Sequence, residues 1–253
     1  MYEQGPKTSH LVPSHDPMTT SISVVVPVYN EAAFIPDALP RLISAMEETE
    51  TQYRILIVEN GSTDGTADVA RQAAEGYPVD VLSLPEPDYG AAMRHGFLES
   101  DADWVVNFDI DYFSAKFIRQ VLDQAVDVDL VIGSKRDPGS EDRRPLMRRT
   151  ATKVFNVLLK TVLDSGVSDT HGMKGFRRRL VDDLARKVVS VKDLYDTELV
   201  IRAERSGYNI VEVPVVVEEI RSAKSSLVKR APRTIAGMFN VRRVLKEEDV
   251  PTN

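Results

Sequence analysis

The stretch WVVNFDID at residues 104–111 is a short apolar run that ends in two carboxylates. An apolar run of this length, Trp104 to Phe108, predicts a strand buried inside a sheet. Asp109 and Asp111 follow it, so we expect them at the carboxyl end of the strand, where open α/β sheets bind their ligands. Two carboxylates this close repel each other, and their oxygen atoms suit Mg²⁺ or Mn²⁺. The stretch therefore predicts a metal site that can hold a nucleotide diphosphate.

Asp-x-Asp occurs three times in the chain, and the position of each pair relative to an apolar run separates them. The pairs at residues 101/103 and 127/129 precede apolar runs. They would lie at the amino ends of strands, on the opposite edge of the sheet from Asp109 and Asp111. A solvated turn is the alternative explanation for any such pair, and strand direction favours a metal site only at residues 109 and 111.

Strands and helices alternate through the first 135 residues, which is typical of a doubly wound parallel sheet with right-handed crossovers. The expected strands are Ile22–Val28, Tyr53–Val58, Val79–Leu84, Trp104–Phe108 and Leu130–Gly133, and the expected helices are Phe34–Glu48, Ala67–Glu75 and Gly90–Leu98. The second half predicts helices at Leu146–Leu163, Leu180–Ala185, Thr197–Ser206 and Ile235–Leu245, and a strand at Ile210–Glu218 that Pro214 interrupts. The expected organisation is a flexible tail over residues 1–20, one α/β domain over residues 21–220, and a C-terminal loop and amphipathic helix over residues 221–253.

Composition narrows the classes of function. The chain has 253 residues, a formal net charge of −7 and no cysteine, which excludes a disulfide framework, a thiolate metal site and a cysteine nucleophile. The sequence contains no run of about 18 apolar residues, so we expect no transmembrane helix. The dinucleotide fingerprint Gly-x-Gly-x-x-Gly and the phosphate loop Gly-Lys-Ser/Thr do not occur. Eight basic residues between Lys135 and Lys160 in an acidic protein indicate a local anionic partner rather than nucleic acid.

Five short motifs, taken in order, resemble the family 2 glycosyltransferases, whose nucleotide-binding fold is called GT-A. They are VPVYNE at 26–31, VENGSTDGT at 58–66, DID at 109–111, DTEL at 196–199 and EVPV at 212–215. Within that family, the chain looks most like the polyprenyl-phosphate (dolichyl-phosphate) mannosyl- and glucosyltransferases. The closer resemblance lies in GSK at 133–135, RTATKVFN at 149–156, SDTHGMKGF at 168–176 and the segment 221–227. It implies a GT-A sheet with a basic helical region on the acceptor side.

The resemblance implies an inverting, metal-dependent transfer of mannose or glucose from GDP-mannose or UDP-glucose to a polyprenyl phosphate. Its catalytic residues here are Asp109, Asp111 and Asp169, and its ligands for Mg²⁺ or Mn²⁺ are Asp109 and Asp111. Its nucleotide-sugar site comprises Pro27, Tyr29, Glu31, Glu59, Asp64 and Asp109. A lipid phosphate is already ionised near neutral pH, so it needs cations to hold it rather than a base. The candidate cations are Lys135, Arg136, Arg149 and Lys174.

Three departures from the family pattern bear on these roles. Phe113 stands where the family often has a polar third residue at the metal site, the loop at residues 88–92 lacks the usual lysine, and Glu59 replaces a commoner Asp. A soluble or glycan acceptor, and a non-catalytic nucleotide-sugar-binding protein, therefore stay open as alternatives. Asp64 is also well placed to cap the following helix, and the basic residues of helix 146–163 could form a solvated face.

The place of action follows from the resemblance together with the lack of an encoded membrane span. We expect a cytoplasmic protein, peripheral to the cytoplasmic face of a membrane, that basic residues draw to anionic headgroups. No nucleic-acid partner is expected, and the sequence leaves open whether the chain forms a homo-oligomer. The residues alone fix neither the sugar nor the base.

Overall fold

The computed structural model describes residues 20–134, 141–142, 146–167, 172–217 and 227–248. Within these ranges the strands are β1 Ser21–Val28, β2 Gln52–Asn60, β3 Val79–Leu84, β4 Trp104–Asn107, β5 Leu130–Ser134, β6 Glu141–Asp142, β7 Lys174–Arg177, β8 Ile210–Pro214 and β9 Val216–Val217. The helices are α1 Ile35–Glu47, α2 Thr66–Ala74, α3 Tyr89–Glu99, α4 Ala115–Leu122, α5 Leu146–Leu163, α6 Arg178–Leu184, α7 Tyr195–Arg205 and α8 Leu227–Glu248. A 3₁₀ turn, Lys192–Leu194, precedes α7.

Seven of the described strands form one sheet in the order β3-β2-β1-β4-β7-β5-β8. Among them only β7 runs antiparallel to its neighbours, β4 and β5. The short strands β6 and β9 form a separate parallel pair. β1, β2 and β4 are central, and their apolar residues are buried on both faces of the sheet, as in other parallel sheets that helices cover. The predicted α/β class, with a mostly parallel, doubly wound sheet, is confirmed.

The sheet has a hydrophobic core on each face, because alternate residues of one strand point to opposite sides. Val24, Val26 and Val28 of β1 pack in the cluster that α1, α2 and α4 cover, whereas Val25 packs with α3, α6 and α7. Gly96 lets α3 approach closely, since a Cβ there would stand 2.5 Å from Cγ1 of Val25. A third cluster joins α5, α7 and α8. Helices therefore cover both faces of the sheet.

Sequence patterns locate most of these elements and miss at least three, including the two-residue strand β6. Helix α5 has the predicted bounds, and β1 to β5 lie close to theirs, whereas α4 and β7 are absent from the prediction. The strand predicted over Ile210–Glu218 is divided into β8, which ends at Pro214, and the short β9. Helix α8 begins at Leu227, before its predicted start. The division into tail, domain and C-terminal segment stays a prediction, because residues 1–19 and 218–226 lie outside the described ranges.

Candidate active site

Asp109 and Asp111 lie where strand direction predicts them, directly after the central strand β4 at the carboxyl edge of the sheet. The N–H of Phe108 still donates to β1, to the carbonyl of residue 25, at 3.1 Å. A tight turn then brings the N–H of Tyr112 to 2.9 Å from the carbonyl oxygen of Asp109. Within this turn Ile110 is buried, Asp109 is exposed and Asp111 is half-buried. Two carboxylates on either side of a buried residue thus remain accessible to a ligand.

The other two Asp-x-Asp pairs lie at the opposite edge, as predicted, and there they hold backbone together. Asp103, just before β4, accepts hydrogen bonds from the N–H and the hydroxyl of Ser21, both at 2.8 Å. Asp129, just before β5, accepts the N–H of Asn209 at 3.0 Å and forms an ion pair with Arg179. These contacts are structural, and they leave the pair after β4 as the candidate for chemistry.

Side chains tie together the loops that follow β1 and β2. The N–H of Asn30 donates to Oγ of Ser62 at 2.9 Å, and the N–H of Thr63 donates to Oδ1 of Asn30 at 2.9 Å. The N–H of Glu31 donates to Oγ1 of Thr66 at 2.8 Å. Asn30 has a φ of +53°, a left-handed conformation in which Asn is enriched. The two loops form one cross-linked rim, residues 29–32 and 59–66, beside the turn that carries Asp109 and Asp111.

Glu59 and Asp64, which were predicted to contact the nucleotide, both hold this rim. Glu59 is 5% exposed, and its carboxylate accepts the N–H of Ser62. Asp64 accepts the N–H of Ala32 at 3.1 Å and both the N–H and the hydroxyl of Thr66. Burial pushes the pKa of Asp64 upward, but the hydrogen bonds from Thr66 and Ala32 outweigh it, so the pKa lies below its ordinary value. Asp64 therefore binds the backbone at the start of α2 from the position before the N-cap, which is Gly65, and its contact with nucleotide stays a prediction.

The remaining predicted nucleotide-site residues border the same rim. Pro27 is half-buried near the end of β1, Glu31 is buried in the first loop, and Tyr29 is 43% exposed between them. An exposed aromatic ring beside buried acidic groups offers a stacking face next to hydrogen-bond acceptors. Nucleotide contacts by these three residues stay predictions, and the structure places all three at the end of β1.

A third loop joins the rim through Asp88, which sequence analysis did not single out. Its N–H donates to Oδ1 of Asn60 at 2.7 Å. Its own Oδ1 accepts the N–H of Ala91 at 3.0 Å, which caps α3, and the N–H of Lys192 at 2.9 Å. The signal that could have found it is an Asp two residues before the predicted helix Gly90–Leu98, a residue type that caps helices. Through its backbone N–H and its side chain, Asp88 thus connects the end of β2 with the start of α3 and the turn before α7.

The Asp109 and Asp111 carboxylates fit a divalent cation that is shared with a diphosphate. Within the described ranges, no group of three or more His, Cys, Asp or Glu side chains is placed to hold a metal ion. Mg²⁺ usually takes one or two carboxylates together with substrate phosphates and waters, rather than an all-protein cage. Two accessible carboxylates on one turn are such a donor set. Phe113 is half-buried against the core and supplies no oxygen ligand.

The predicted acceptor-side residues are only partly within the described structure. Lys135, Arg136 and Asp169 lie outside the described residues, and Arg149 lies on α5 at a position whose side chain is not described. Lys174 opens β7 at the carboxyl edge, where its ammonium group is buried and bonded to Asp196. Its contact with an acceptor phosphate stays a prediction, and the contact that the structure shows is an internal ion pair.

Comparison with known proteins gives a family match that includes this edge of the sheet. A family described as Glycosyl transferase family 2 matches residues 23–185. The matched range runs from β1 to α6, so it contains the rim and the turn with Asp109 and Asp111. The match therefore covers the residues from which the candidate site is built.

Three curated relatives transfer or synthesise sugar compounds by name. Polyprenol monophosphomannose synthase of Mycolicibacterium smegmatis is 31% identical over 216 residues, which cover 78% of this chain and 77% of that protein. Glycosyltransferase AglD of Haloferax volcanii is 28% identical over 225 residues, 86% of this chain and 35% of AglD. Undecaprenyl-phosphate 4-deoxy-4-formamido-L-arabinose transferase of Sodalis glossinidius is 29% identical over 216 residues, 82% of this chain and 64% of that protein. The chain thus spans less than two thirds of two of these relatives.

A solved structure has the same fold. Glucosyl-3-phosphoglycerate synthase from Mycobacterium tuberculosis, in complex with Mn²⁺, uridine diphosphate and phosphoglyceric acid, matches with a TM-score of 0.67 at 20% identity. The match covers 92% of this chain and 80% of that chain. At this identity the likeness concerns the fold alone, and it agrees with the expected GT-A type of sheet.

Proposed function

The chain belongs to glycosyl transferase family 2, and from that premise we propose that it transfers a hexose, mannose or glucose, from a nucleotide sugar to a polyprenyl phosphate with inversion at the anomeric carbon. The observation that carries the proposal is the position of Asp109 and Asp111, two accessible carboxylates after the central strand and beside the cross-linked rim. The relative with 31% identity, named for the synthesis of polyprenol monophosphomannose, supports this class of acceptor.

The proposed reaction is a single displacement. An oxygen of the lipid phosphate attacks the anomeric carbon, the bond from that carbon to the diphosphate oxygen breaks, and the nucleoside diphosphate leaves. A phosphate monoester is ionised at neutral pH, so no side chain has to remove a proton from it. The rim, with Tyr29, Glu31 and Glu59, would orient the base and ribose. Mg²⁺ or Mn²⁺ held by Asp109 and Asp111 would, when bound, neutralise negative charge on the leaving diphosphate.

A lipid acceptor implies work at a membrane surface, and two described helices have suitable exposed side chains. None of the helices in the described parts of the chain combines the length and apolar character that a bilayer crossing needs. Val154 and Val157 on α5 are exposed, as are Ile235 and Phe239 on α8. Exposed apolar residues next to basic ones such as Arg242 are typical of helices that lie on a membrane surface. These features support a peripheral protein.

A matched panel of donors and acceptors tests the proposal. Purified protein with Mn²⁺ would be given GDP-mannose, UDP-glucose or UDP-GlcNAc, each with a short-chain polyprenyl phosphate, the same polyprenol without phosphate, or 3-phosphoglycerate. We expect a glycosylated lipid phosphate from one donor, and no product from the unphosphorylated polyprenol. Product from 3-phosphoglycerate alone would identify a soluble acceptor instead. Tight donor binding without turnover on any acceptor would identify a non-catalytic binding protein.

A further inference from the structure

Lys174 has its ammonium group inside the protein, at the carboxyl edge of the sheet. It is the first residue of β7 and lies opposite Asn107, the last residue of β4. The side chain is 0% exposed, and Nζ donates to Oδ2 of Asp196 at 2.9 Å and to the carbonyl oxygen of Gly172 at 2.9 Å. An ammonium group in this position has two strong acceptors, and it has no contact with bulk water.

The carbonyl of Gly172 connects this ion pair to the strand that carries the aspartates. Nδ2 of Asn107 donates to the same oxygen at 3.3 Å, so it and Lys174 converge on one acceptor. Asn107 is two residues before Asp109 and is itself buried. Oδ1 of Asn107 is buried without a hydrogen-bond partner, so the single bond to Gly172 is the one polar contact described for this side chain. The end of β4 is thus held through one shared carbonyl.

Asp196 anchors the other side of the pair on helix α7. It is the second residue of the helix and is buried, and its Oδ1 accepts the N–H of Thr197 at 3.0 Å. Both carboxylate oxygens therefore have donors within the protein. The helix itself is fixed from behind by Glu198, which accepts the N–H groups of Val189 and Ser190 at 3.1 and 2.7 Å. Since α7 is held in this way, the ion pair fixes the position of Lys174 at the edge of the sheet.

Stability alone is a weak explanation for such a pair. Burying two charges has a large desolvation cost, and replacing a buried ion pair by uncharged residues of similar volume is often neutral for stability. The same contacts are well suited to orient groups that bind a metal ion, because residues behind metal ligands fix the direction of those ligands. Their location, directly behind the turn with Asp109 and Asp111, favours this second role.

We propose that Lys174 and Asp196 are positioning residues: they hold Gly172 against Asn107 and so fix the direction in which Asp109 and Asp111 leave β4. This inference rests on the proposed function, and it assigns Lys174 a different role from the phosphate contact that the sequence suggests. A positioning role and a ligand role differ in what they change. Loss of a positioning residue lowers kcat and metal affinity, whereas loss of a phosphate ligand raises the KM for the acceptor.

The test uses a double variant, Lys174→Met with Asp196→Asn, which removes both charges and keeps similar volumes. The matched control is Arg179→Met with Asp129→Asn, an ion pair at the opposite edge of the sheet whose aspartate is buried. Three quantities are measured: kcat, the acceptor KM, and the affinity for Mn²⁺ in the presence of nucleoside diphosphate, followed by the electron paramagnetic resonance signal of free Mn²⁺. The last of these needs no acceptor and no turnover, so it remains informative if the proposed acceptor is wrong.

We expect the Lys174/Asp196 variant to lose roughly ten- to 100-fold in kcat and in Mn²⁺ affinity, with an acceptor KM within about twofold of the parent value. The control should keep both quantities near the parent values. A rise of about tenfold in acceptor KM with kcat retained would overturn the proposal in favour of direct phosphate contact. Unchanged kcat and Mn²⁺ affinity, or equal losses in the control, would reduce the pair to a structural element.

A second variant keeps the proposal testable if the double variant does not fold. Asn107→Ala cuts the same connection from the sheet side and leaves the ion pair intact. It should reproduce the pattern, with lower kcat and weaker Mn²⁺ binding at an unchanged acceptor KM. Parent-like kinetics and Mn²⁺ affinity in a folded Asn107→Ala protein would contradict the connection through Gly172.

Discussion

The two halves of the carboxyl edge are held by different kinds of interaction. One half, which we propose to bind the donor and call the donor half, is the rim of residues 29–32 and 59–66 with the loop at Asp88. There, side-chain oxygens accept backbone N–H groups of nearby loops. In the half that we propose to bind the acceptor, here called the acceptor half and formed by β7, β5, β8 and α7, buried charged side chains connect separate elements. Lys174 of β7 pairs with Asp196 of α7, and Arg202 of α7 pairs with Glu248 of α8. Hydrogen bonds of the first kind fix backbone locally, while those of the second kind fix whole helices relative to the sheet.

This difference predicts how each half fails. A short hydrogen bond to backbone is worth about 0.5–1.5 kcal/mol, so the donor half should tolerate single losses and respond mainly in ligand affinity. Removal of one partner of a buried ion pair leaves a charge without compensation, so the acceptor half should respond in stability. The predictions below test that contrast.

The largest effect is expected at the chemistry itself. Asp111→Asn removes one of the two accessible carboxylates, and charge stabilisation by a bound metal ion is worth several kcal/mol. We expect turnover to fall by roughly 10³-fold with the melting temperature unchanged within a few degrees. The measurement is initial rate at saturating donor and Mn²⁺, together with a thermal melt.

The control for that variant comes from the opposite edge. Asp101→Asn alters an exposed aspartate of another Asp-x-Asp pair, at the amino end of β4, where the only ion pair described is a 3.8 Å contact with Arg54. Activity should stay near the parent value. Equal losses in the two variants, or full activity of Asp111→Asn, would contradict the assignment of the metal site to residues 109 and 111.

Arg202 gives the largest expected loss of stability. It is 4% exposed and bonds both Glu198 at 2.7 Å and Glu248 of α8 at 2.7 Å. Arg202→Met leaves the fully buried Glu198 without its cation, so we expect the free energy of unfolding to drop by about 3–5 kcal/mol in urea denaturation. Glu248 is 49% exposed, and Glu248→Gln should lower it by less than about 1 kcal/mol. Similar losses in both variants would show that the contact between α7 and α8, rather than the pairing of the buried Glu198, stabilises the fold.

The same contrast explains which parts of the site can be read from sequence. The position of Asp109 and Asp111 is predictable because the two residues directly follow an apolar run. Chain order alone therefore places them at the carboxyl end of the strand. The internal pairing of Lys174 is not, because its partner lies 22 residues away and the two meet only in the folded chain. Strand β7, which carries this lysine, has four residues, KGFR, with a glycine and two charges, and such a run has no strand pattern. The acceptor half, which long-range charge pairs hold together, is therefore the half that the sequence predicts least well.

Helix α4 was missed for a different reason, since its signals are present in the sequence. Ser114 caps the helix by accepting the N–H of Phe117 at 3.2 Å. Its buried residues, Phe117, Ile118, Val121 and Leu122, have helical spacing. The cap and the apolar face, taken together, are enough to predict this helix of eight residues. The loops of the rim are also predictable from local sequence, because their Asn, Ser, Thr, Asp and Gly residues are those that turns require.

Gly61 in the donor half and Gly76 before β3 both have left-handed backbone, and comparing them separates backbone strain from steric overlap. Gly61 has a φ of +67°, and a Cβ there would stand 2.7 Å from the carbonyl carbon of Glu86, whereas Gly76 has a φ of +83° and open space around it. Gly76→Ala should lower the free energy of unfolding by about 1–2 kcal/mol through backbone strain. Gly61→Ala should lose a further ~1 kcal/mol or more, because backbone must move, and its donor KM should rise. Equal destabilisation of the two variants in urea would show that the loop at residue 86 moves freely.

The smallest effect is expected at the opposite edge of the sheet, to which we assign no chemistry. The hydroxyl of Tyr208 donates to Asp183 at 2.5 Å, and burial together with this acceptor raises the pKa of Tyr208 from 10.0 to about 12. The native state therefore favours the neutral phenol, and this contribution to stability is fully present below pH 10 and is lost as the pH rises from 10 towards 12. Tyr208→Phe should lower the free energy of unfolding by about 1 kcal/mol at pH 8, and that difference should shrink at pH 11, while kcat and both KM values at pH 8 stay unchanged. A difference that is constant across this pH range would show that the hydroxyl contributes packing alone, and altered kinetics would show that the two edges of the sheet are coupled.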